Sequence, residues 1–444
     1  MKFKEHFNQT IELAYPVIIG QLGFIMMGVV DSLMVGSLGP APLAAASLGN
    51  SLKMLIFIIG IGVSFAVTPL VAILVGAKNY SECGIYFRQS LLVNLTFGFV
   101  LMIVTIMCSE FLIYFNLPED VTAMAKSYTR ILGFGGIPVM LFQTYKQFIE
   151  GLSVMKPAMI IVILANLVNI FTNWTLIFGN LGLPALGLDG AGWATFASTI
   201  FMAFTLMIYV MNKTYFKQYD VSFHFKNINI PVIKKILSIG LPSGFQYFFE
   251  IGAFSFAVIM IGWLGTDQLA AHQIAINLAS ISFMVVLGLS IAGGIRVGNA
   301  VGKKNIIDVR KAGFTAIFLS LCVMTGSGII FIIFRNILPT LYIDDNTVIS
   351  IASSLLIIAA LFQLSDGVQA VGIGILRGLT DVKIPTAITF IAYWIIGLPI
   401  GYLLAFKLGW GVQGIWIGLL AGLTASAILL TLRFNSKSKH LITV

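Results

Sequence analysis

The 444 residues are 58% hydrophobic and 10% charged, with a mean hydropathy of +0.99. A soluble domain carries about 25% charged residues, so this composition excludes an ordinary soluble protein and identifies an integral membrane protein. The net charge of +9 would suit a nucleic-acid binder, but its distribution along the chain assigns it to topology, and no nucleic-acid partner is expected. Cys83, Cys108 and Cys322 follow no metal or redox spacing. No cleavable signal pattern is read at the start, because the first apolar segment is long and continues into more of the same.

Apolar segments long enough to cross a bilayer, about 20 residues each, run over roughly 11–36, 44–75, 89–115, 124–149, 158–178 and 190–211. After a polar stretch they resume over roughly 236–262, 269–300, 312–334, 348–376, 384–406 and 412–433. This predicts an all-α membrane protein of twelve transmembrane helices. The basic residues test the count. With the N-terminus inside, twenty-one of the 26 Lys and Arg fall in cytoplasmic segments, among them Lys2, Lys4, Arg296, Arg377 and Lys439. Lys53, Lys126, Arg130, Arg335 and Lys407 are the five on the other side. The positive-inside rule therefore places both termini in the cytoplasm.

The stretch 16–79 recurs without a gap at 242–305, shifted by 226 positions. Pro242 falls on Pro16, Gly262 on Gly36, Leu264-Gly265 on Leu38-Gly39, Gly288 on Gly62 and Lys304-Asn305 on Lys78-Asn79. Two units of six spans each enter the membrane in the same sense. They are parallel repeats, related by a pseudo-twofold axis along the membrane normal. The expected domains are an N-terminal six-helix lobe at 1–212, a C-terminal one at 236–444, and a basic cytoplasmic linker at 213–235. The linker carries Lys213, Lys217, Lys226, Lys234 and Lys235.

Three carboxylates lie well inside apolar spans: Asp31, Glu250 and Asp366. No base occupies the middle of a span to pair with them. A carboxylate in hydrocarbon is costly and marks a functional site by default. Ser243, Gln246 and Glu250 share one face of the seventh span, and Gln363, Asp366 and Gln369 share one face of the tenth. Facing each other, these stripes would make a cation site. Oxygen-rich sets suit hard cations such as Na⁺, and two close acids also share a proton readily. In the first repeat, Asn169 and Asn173 lie four apart on span five, near the depth of Asp31, and Thr195 on span six can join them. Simple hydrogen bonding between helices is the alternative there. Asp344 and Asp345 precede span ten, either as a solvated loop or as an anionic mouth for cationic compounds. The 35 Phe, 13 Tyr and 6 Trp can stack on organic cations in a cavity.

These residues resemble the multidrug and toxic compound extrusion (MATE) family, in its NorM-like branch. The resemblance covers nearly the whole chain. It rests on Pro16 through Asp31 to Gly39, on Leu269-Ala270-Ala271-His272-Gln273-Ile274-Ala275-Ile276-Asn277, on Ile295-Arg296-Val297-Gly298, and on Asp366-Gly367-Val368-Gln369 followed by Leu376-Arg377-Gly378. It implies a cation-coupled exporter with two six-helix lobes around a cavity. Glu250 and Asp366 would form the C-lobe cation site, with Na⁺ as its metal. Asp31, Asn169, Asn173 and Thr195 would form the N-lobe site. Ser51, Gln273 and Asp345 would line the drug cavity, with Asn277 and Asp344 as further substrate contacts. Some relatives carry a tyrosine one turn before the span-ten acid, where this chain has Phe362, so one hydroxyl ligand is missing.

The expected activity is exchange of amphipathic, mostly cationic organic compounds for Na⁺ or H⁺ by alternating access, in an inner membrane and as a monomer among lipids. No cofactor beyond the coupling ion is expected, and no enzyme activity. A flippase for lipid-linked substrates would need a more basic cavity. A membrane-embedded transferase would need acidic or histidine clusters at a membrane face, whereas the four histidines are scattered. The chain has no G-x-x-x-x-G-K-[ST] loop for ATP.

Overall fold

The computed structural model describes residues 3–115, 118–221 and 228–440. Lys2, Lys226 and the middle of the 213–235 segment lie outside them. Every element among the described residues is helical. In chain order they are α1 (Phe3–Gly36), α2 (Pro40–Ser64), α3 (Val67–Gly76), α4 (Tyr80–Glu110), α5 (Glu119–Phe134), α6 (Gly136–Gly151), α7 (Lys156–Phe178) and α8 (Leu188–Asn212). The short α9 (Thr214–Lys217) leads to α10 (Ile230–Gly262), α11 (Thr266–Gly302), α12 (Ile306–Phe334), α13 (Asn346–Gly378), α14 (Lys383–Phe390), α15 (Leu398–Tyr402) and α16 (Gly411–His440). A π-helical turn, Ile391–Gly397, joins α14 to α15, and a second, Leu403–Lys407, follows α15 in the same span.

Among the described residues, 11 helices are long and apolar enough to cross a membrane. The remaining expected span, 124–149, is divided between α5 and α6 at Gly135. Proline explains the break. Pro138 has no N–H for the carbonyl of Phe134, and the chain tightens there, with Gly135 N bonded to Leu132 O at 3.0 Å. The same rule parts α2 from α3. Pro69 has no N–H to offer in the helical pattern, and Phe65 N turns back to Gly62 O at 3.2 Å.

The repeat is visible in the backbone. Gly39 and Gly265, 226 positions apart, have φ of 120° and 131°, a region open to glycine without strain. Lys78 and Lys304 both adopt left-handed turns, at φ 58° and 55°.

The chain forms two compact units, 19–244 and 1–18 with 245–444. They are offset from the sequence lobes by the opening turns of α1 and α10. Both boundaries fall two residues after a proline, Pro16 or Pro242. In the unit 19–244, Gly62 of α2 lies so close to the Gly244 backbone that a Cβ would not fit. In the other unit, Gly288, the counterpart of Gly62, lies against Ile18 and the carbonyl of Ala14. There the buried Arg296 also holds α1, its Nη1 donating to His6 O and Thr10 Oγ1, both at 2.6 Å. Small residues of this kind let helix backbones approach closely in a bilayer.

Candidate functional site

In the unit that contains 245–444, α11 and α13 pack backbone to backbone. Gly374 lies against Ser290, and Gly378 against the carbonyl of Gly294. Ser290 Oγ donates to Ala370 O at 2.6 Å. This fixes α13 and with it Asp366. Glu250 on α10 and Asp366 are only 8% and 5% exposed, and their carboxylates interact electrostatically. Gln369 and Tyr393 lie within hydrogen-bonding reach of Glu250, and Arg377 acts on it from further along α13. The Tyr393 hydroxyl donates to Gln369 Oε1 at 3.4 Å.

The two expected polar stripes divide by use. Ser243 Oγ donates back to Ile239 O at 2.8 Å, and Gln246 Nε2 donates to Thr389 Oγ1 at 3.1 Å. Both are satisfied within the helix packing. On α13, both amide atoms of Gln363 are buried without a hydrogen-bond partner. Two carboxylates with an orphaned amide group on one helix face can accept a small cation, since oxygen donors suit a hard ion. Among the described residues no group of three or more His, Cys, Asp and Glu is placed to hold a metal.

In the unit 19–244, Asp31 of α1, Asn169 and Asn173 of α7 and Thr195 of α8 come together. Asn173 Nδ2 donates to Asp31 Oδ1 at 2.6 Å and to Asn169 Oδ1 at 3.1 Å. Thr195 Oγ1 donates to Asp31 Oδ2 at 3.0 Å. Each oxygen of this carboxylate already has a donor, and Lys53 of α2 acts on it electrostatically.

The residues expected to contact substrate are all exposed and lie apart from these clusters in sequence. Ser51 donates to Ser47 O at 2.9 Å on α2. Gln273 and Asn277 stand one turn apart on α11, 3.4 Å between Nε2 and Oδ1. Asp345 caps α13, its Oδ1 accepting from Thr347 N at 2.8 Å and Val348 N at 3.0 Å. Asp344 is exposed beside it. At about 1.5 Å per residue, this pair stands roughly 30 Å along α13 from Asp366.

Several polar residues escape the sequence reading. Tyr393 is one, and Lys53 beside Asp31 is another. A third is the buried ion pair of Lys146 with Glu150 on α6, 3.0 Å between Nζ and Oε1. The i, i+4 spacing of that pair is visible in the sequence, but Lys146 reads there as one of the cytoplasmic charges. Nearby, Thr68 Oγ1 donates to Gln147 O at 3.0 Å.

Comparison with known proteins adds to this geometry. The MatE family matches residues 16–175 and 242–403, two blocks that begin 226 positions apart. The chain is 36% identical over 411 residues to a probable multidrug resistance protein NorM of Mesorhizobium japonicum, covering 91% of this chain and 88% of that protein. It is 36% identical over 408 residues to the multidrug resistance protein MdtK of Proteus mirabilis, with the same coverage of 91% and 88%. Among solved structures, the eukaryotic MATE transporter AtDTX14 superposes with a TM-score of 0.87 at 22% identity, covering 99% of this chain and 98% of that one. A MATE in the bent conformation gives a TM-score of 0.91 at 19% identity, covering 100% and 99%. At such identities the structural likeness carries the fold alone.

Proposed function

The chain belongs to the MatE family, and from that premise we propose that it exports amphipathic, mostly cationic organic compounds in exchange for Na⁺ or H⁺. Its NorM and MdtK relatives are named as multidrug resistance proteins, and it is a multidrug efflux transporter, not an enzyme. It acts as a monomer in the inner membrane by alternating access between its two six-helix lobes. One observation carries the coupling role: Glu250 and Asp366 are buried and interact with each other. Two such carboxylates are stable only when a cation or a proton offsets one charge. An ion that favours the conformation binding drug poorly is itself weakened by drug to the same factor. This reciprocity is what exchange requires. Asp31 with Asn169, Asn173 and Thr195 is the auxiliary polar site. Ser51, Gln273, Asn277, Asp344 and Asp345 contact the drug along its route.

Efflux from proteoliposomes under an imposed Na⁺ or H⁺ gradient tests the reading. Glu250→Gln and Asp366→Asn should each stop gradient-driven efflux while the protein stays folded in the membrane. Full efflux by either variant would make that residue structural. The orientation has its own test. A cysteine at Lys217 should react with an impermeant reagent from the cytoplasmic side only, and labelling from outside would overturn the topology.

A further inference from the structure

Between α14 and α15 the chain leaves α-helical geometry at Ile391–Gly397. Pro399 favours the change, because it offers no N–H to the carbonyl of Ile395. The widened segment is seated on glycines of α16, where Gly418 meets Gly401 and Gly422 meets the carbonyl of Ala392. Single π-helical turns are rare and concentrate at functional sites.

This turn fastens both helices that carry the paired acids. Trp394 Nε1 donates to the carbonyl of Phe249 at 3.0 Å, one residue before Glu250 on α10. Its neighbour Tyr393, fully buried, donates to Gln369 Oε1 at 3.4 Å on α13. The same hydroxyl is within hydrogen-bonding reach of Glu250 and within electrostatic reach of Asp366. Two consecutive side chains of one wide turn therefore address α10 and α13 beside the two carboxylates.

We propose that Tyr393 is a specificity-determining residue of the coupling site: its hydroxyl is the neutral oxygen that lets the Glu250–Asp366 pair take a dehydrated Na⁺ rather than a proton alone. The inference rests on the reading of that pair as the coupling site. A proton needs a single carboxylate oxygen. A hard metal ion stripped of water needs several oxygens at once. A tyrosine hydroxyl that gives its proton to Gln369 keeps its lone pairs for an ion. Gln363, fully buried and with both amide atoms unpartnered one turn before Asp366, offers one oxygen more. So many neutral donors beside two acids exceed what protonation requires.

The test uses the full-length transporter in liposomes, driven first by a Na⁺ gradient at constant pH and then by a pH gradient without Na⁺. Tyr393→Phe removes one oxygen and nothing else. It should raise the Na⁺ concentration for half-maximal efflux about tenfold, the worth of one bond to a charged group, and change proton-driven efflux by clearly less than that. Gln369→Met, which removes the tyrosine's acceptor at similar length, should shift the same quantity in the same direction and serves if Tyr393→Phe does not fold. An unchanged Na⁺ dependence, equal losses under both gradients, or no Na⁺-driven efflux in the unmodified protein overturns the inference. If Glu250→Gln and Asp366→Asn retain efflux, the coupling reading fails instead. If they abolish it while Tyr393→Phe is silent, only the role of Tyr393 falls.

Discussion

Asp31 and the Glu250–Asp366 pair are both buried acids on membrane helices, yet their surroundings differ in kind. Asp31 accepts from Asn173 and Thr195, one donor for each oxygen, and has Lys53 within electrostatic reach. Glu250 has Gln369 and Tyr393 within hydrogen-bonding reach and Arg377 within electrostatic reach, but it faces a second carboxylate; orphaned amide atoms occur in both clusters, at Gln363 on α13 and at Asn169 and Asn173 on α7. A lone buried acid with a donor on each oxygen has its charge shared with the protein. Two carboxylates that repel each other leave a place for a mobile cation or proton. The two regions thus differ in the second carboxylate, and the proposed coupling role rests on that pair.

The largest expected effect breaks the pair. Glu250→Gln or Asp366→Asn should lower gradient-driven efflux about 100-fold, toward the upper end of typical coupling energies. The double variant should be hardly worse than either single one, because residues acting as one unit are non-additive. Additive losses in vesicle efflux would separate the two acids into independent sites.

A smaller effect is expected at Asp31. Asparagine there can keep its oxygen toward Asn173 and turn its amide to Thr195 Oγ1, a hydroxyl able to accept. Asp31→Asn should cost about 1 kcal/mol of stability and leave efflux within about tenfold of normal. A double-mutant cycle with Lys53→Met measures the link to the lysine, and coupling of about 0.5–3 kcal/mol is usual for residues in contact. A loss of efflux at Asp31→Asn as deep as at Glu250→Gln would erase the distinction between the two regions.

The smallest effects belong to the start of α13. Asp345→Ala should lose its two cap bonds and about 1 kcal/mol. Asp344→Asn should reduce export of cationic compounds about twofold, and neutral ones less, since an exposed charge is screened by salt. Identical losses for charged and neutral compounds would leave Asp344 as a solvated loop residue.

Much of this was legible in the sequence for physical reasons. Membrane spans announce themselves by length and hydropathy, and the offset of 226 positions linked Gly39 to Gly265 before either backbone was seen. The three acids stood out because hydrocarbon makes each of them costly. Partners were harder to read. Lys53 acts on Asp31 electrostatically from a different helix, and one sequence carries no sign of that proximity. Tyr393 was hidden by the wide turn, which takes it off the 3.6-residue register used to assign helix faces; in an apolar span it reads as one more core aromatic. The division at Gly135 was readable in principle, because Pro138 lies within the stretch taken as one span. Asp345 reads from the sequence as a solvated loop or a mouth residue, and an Asp before Asn346-Thr347-Val348 also suits a helix cap.

Gly62 and Gly288 are each filled by the opening turns of a helix that starts the opposite half of the sequence. Cutting the chain in the 213–235 segment would therefore leave two incomplete pieces. The first would lack residues 230–244, which cover Gly62, and the second would lack residues 1–18, which cover Gly288 and surround Arg296. A single ancestral repeat with this packing would have been whole only as a pair, each copy lending its first turns to the other, as in a domain-swapped dimer.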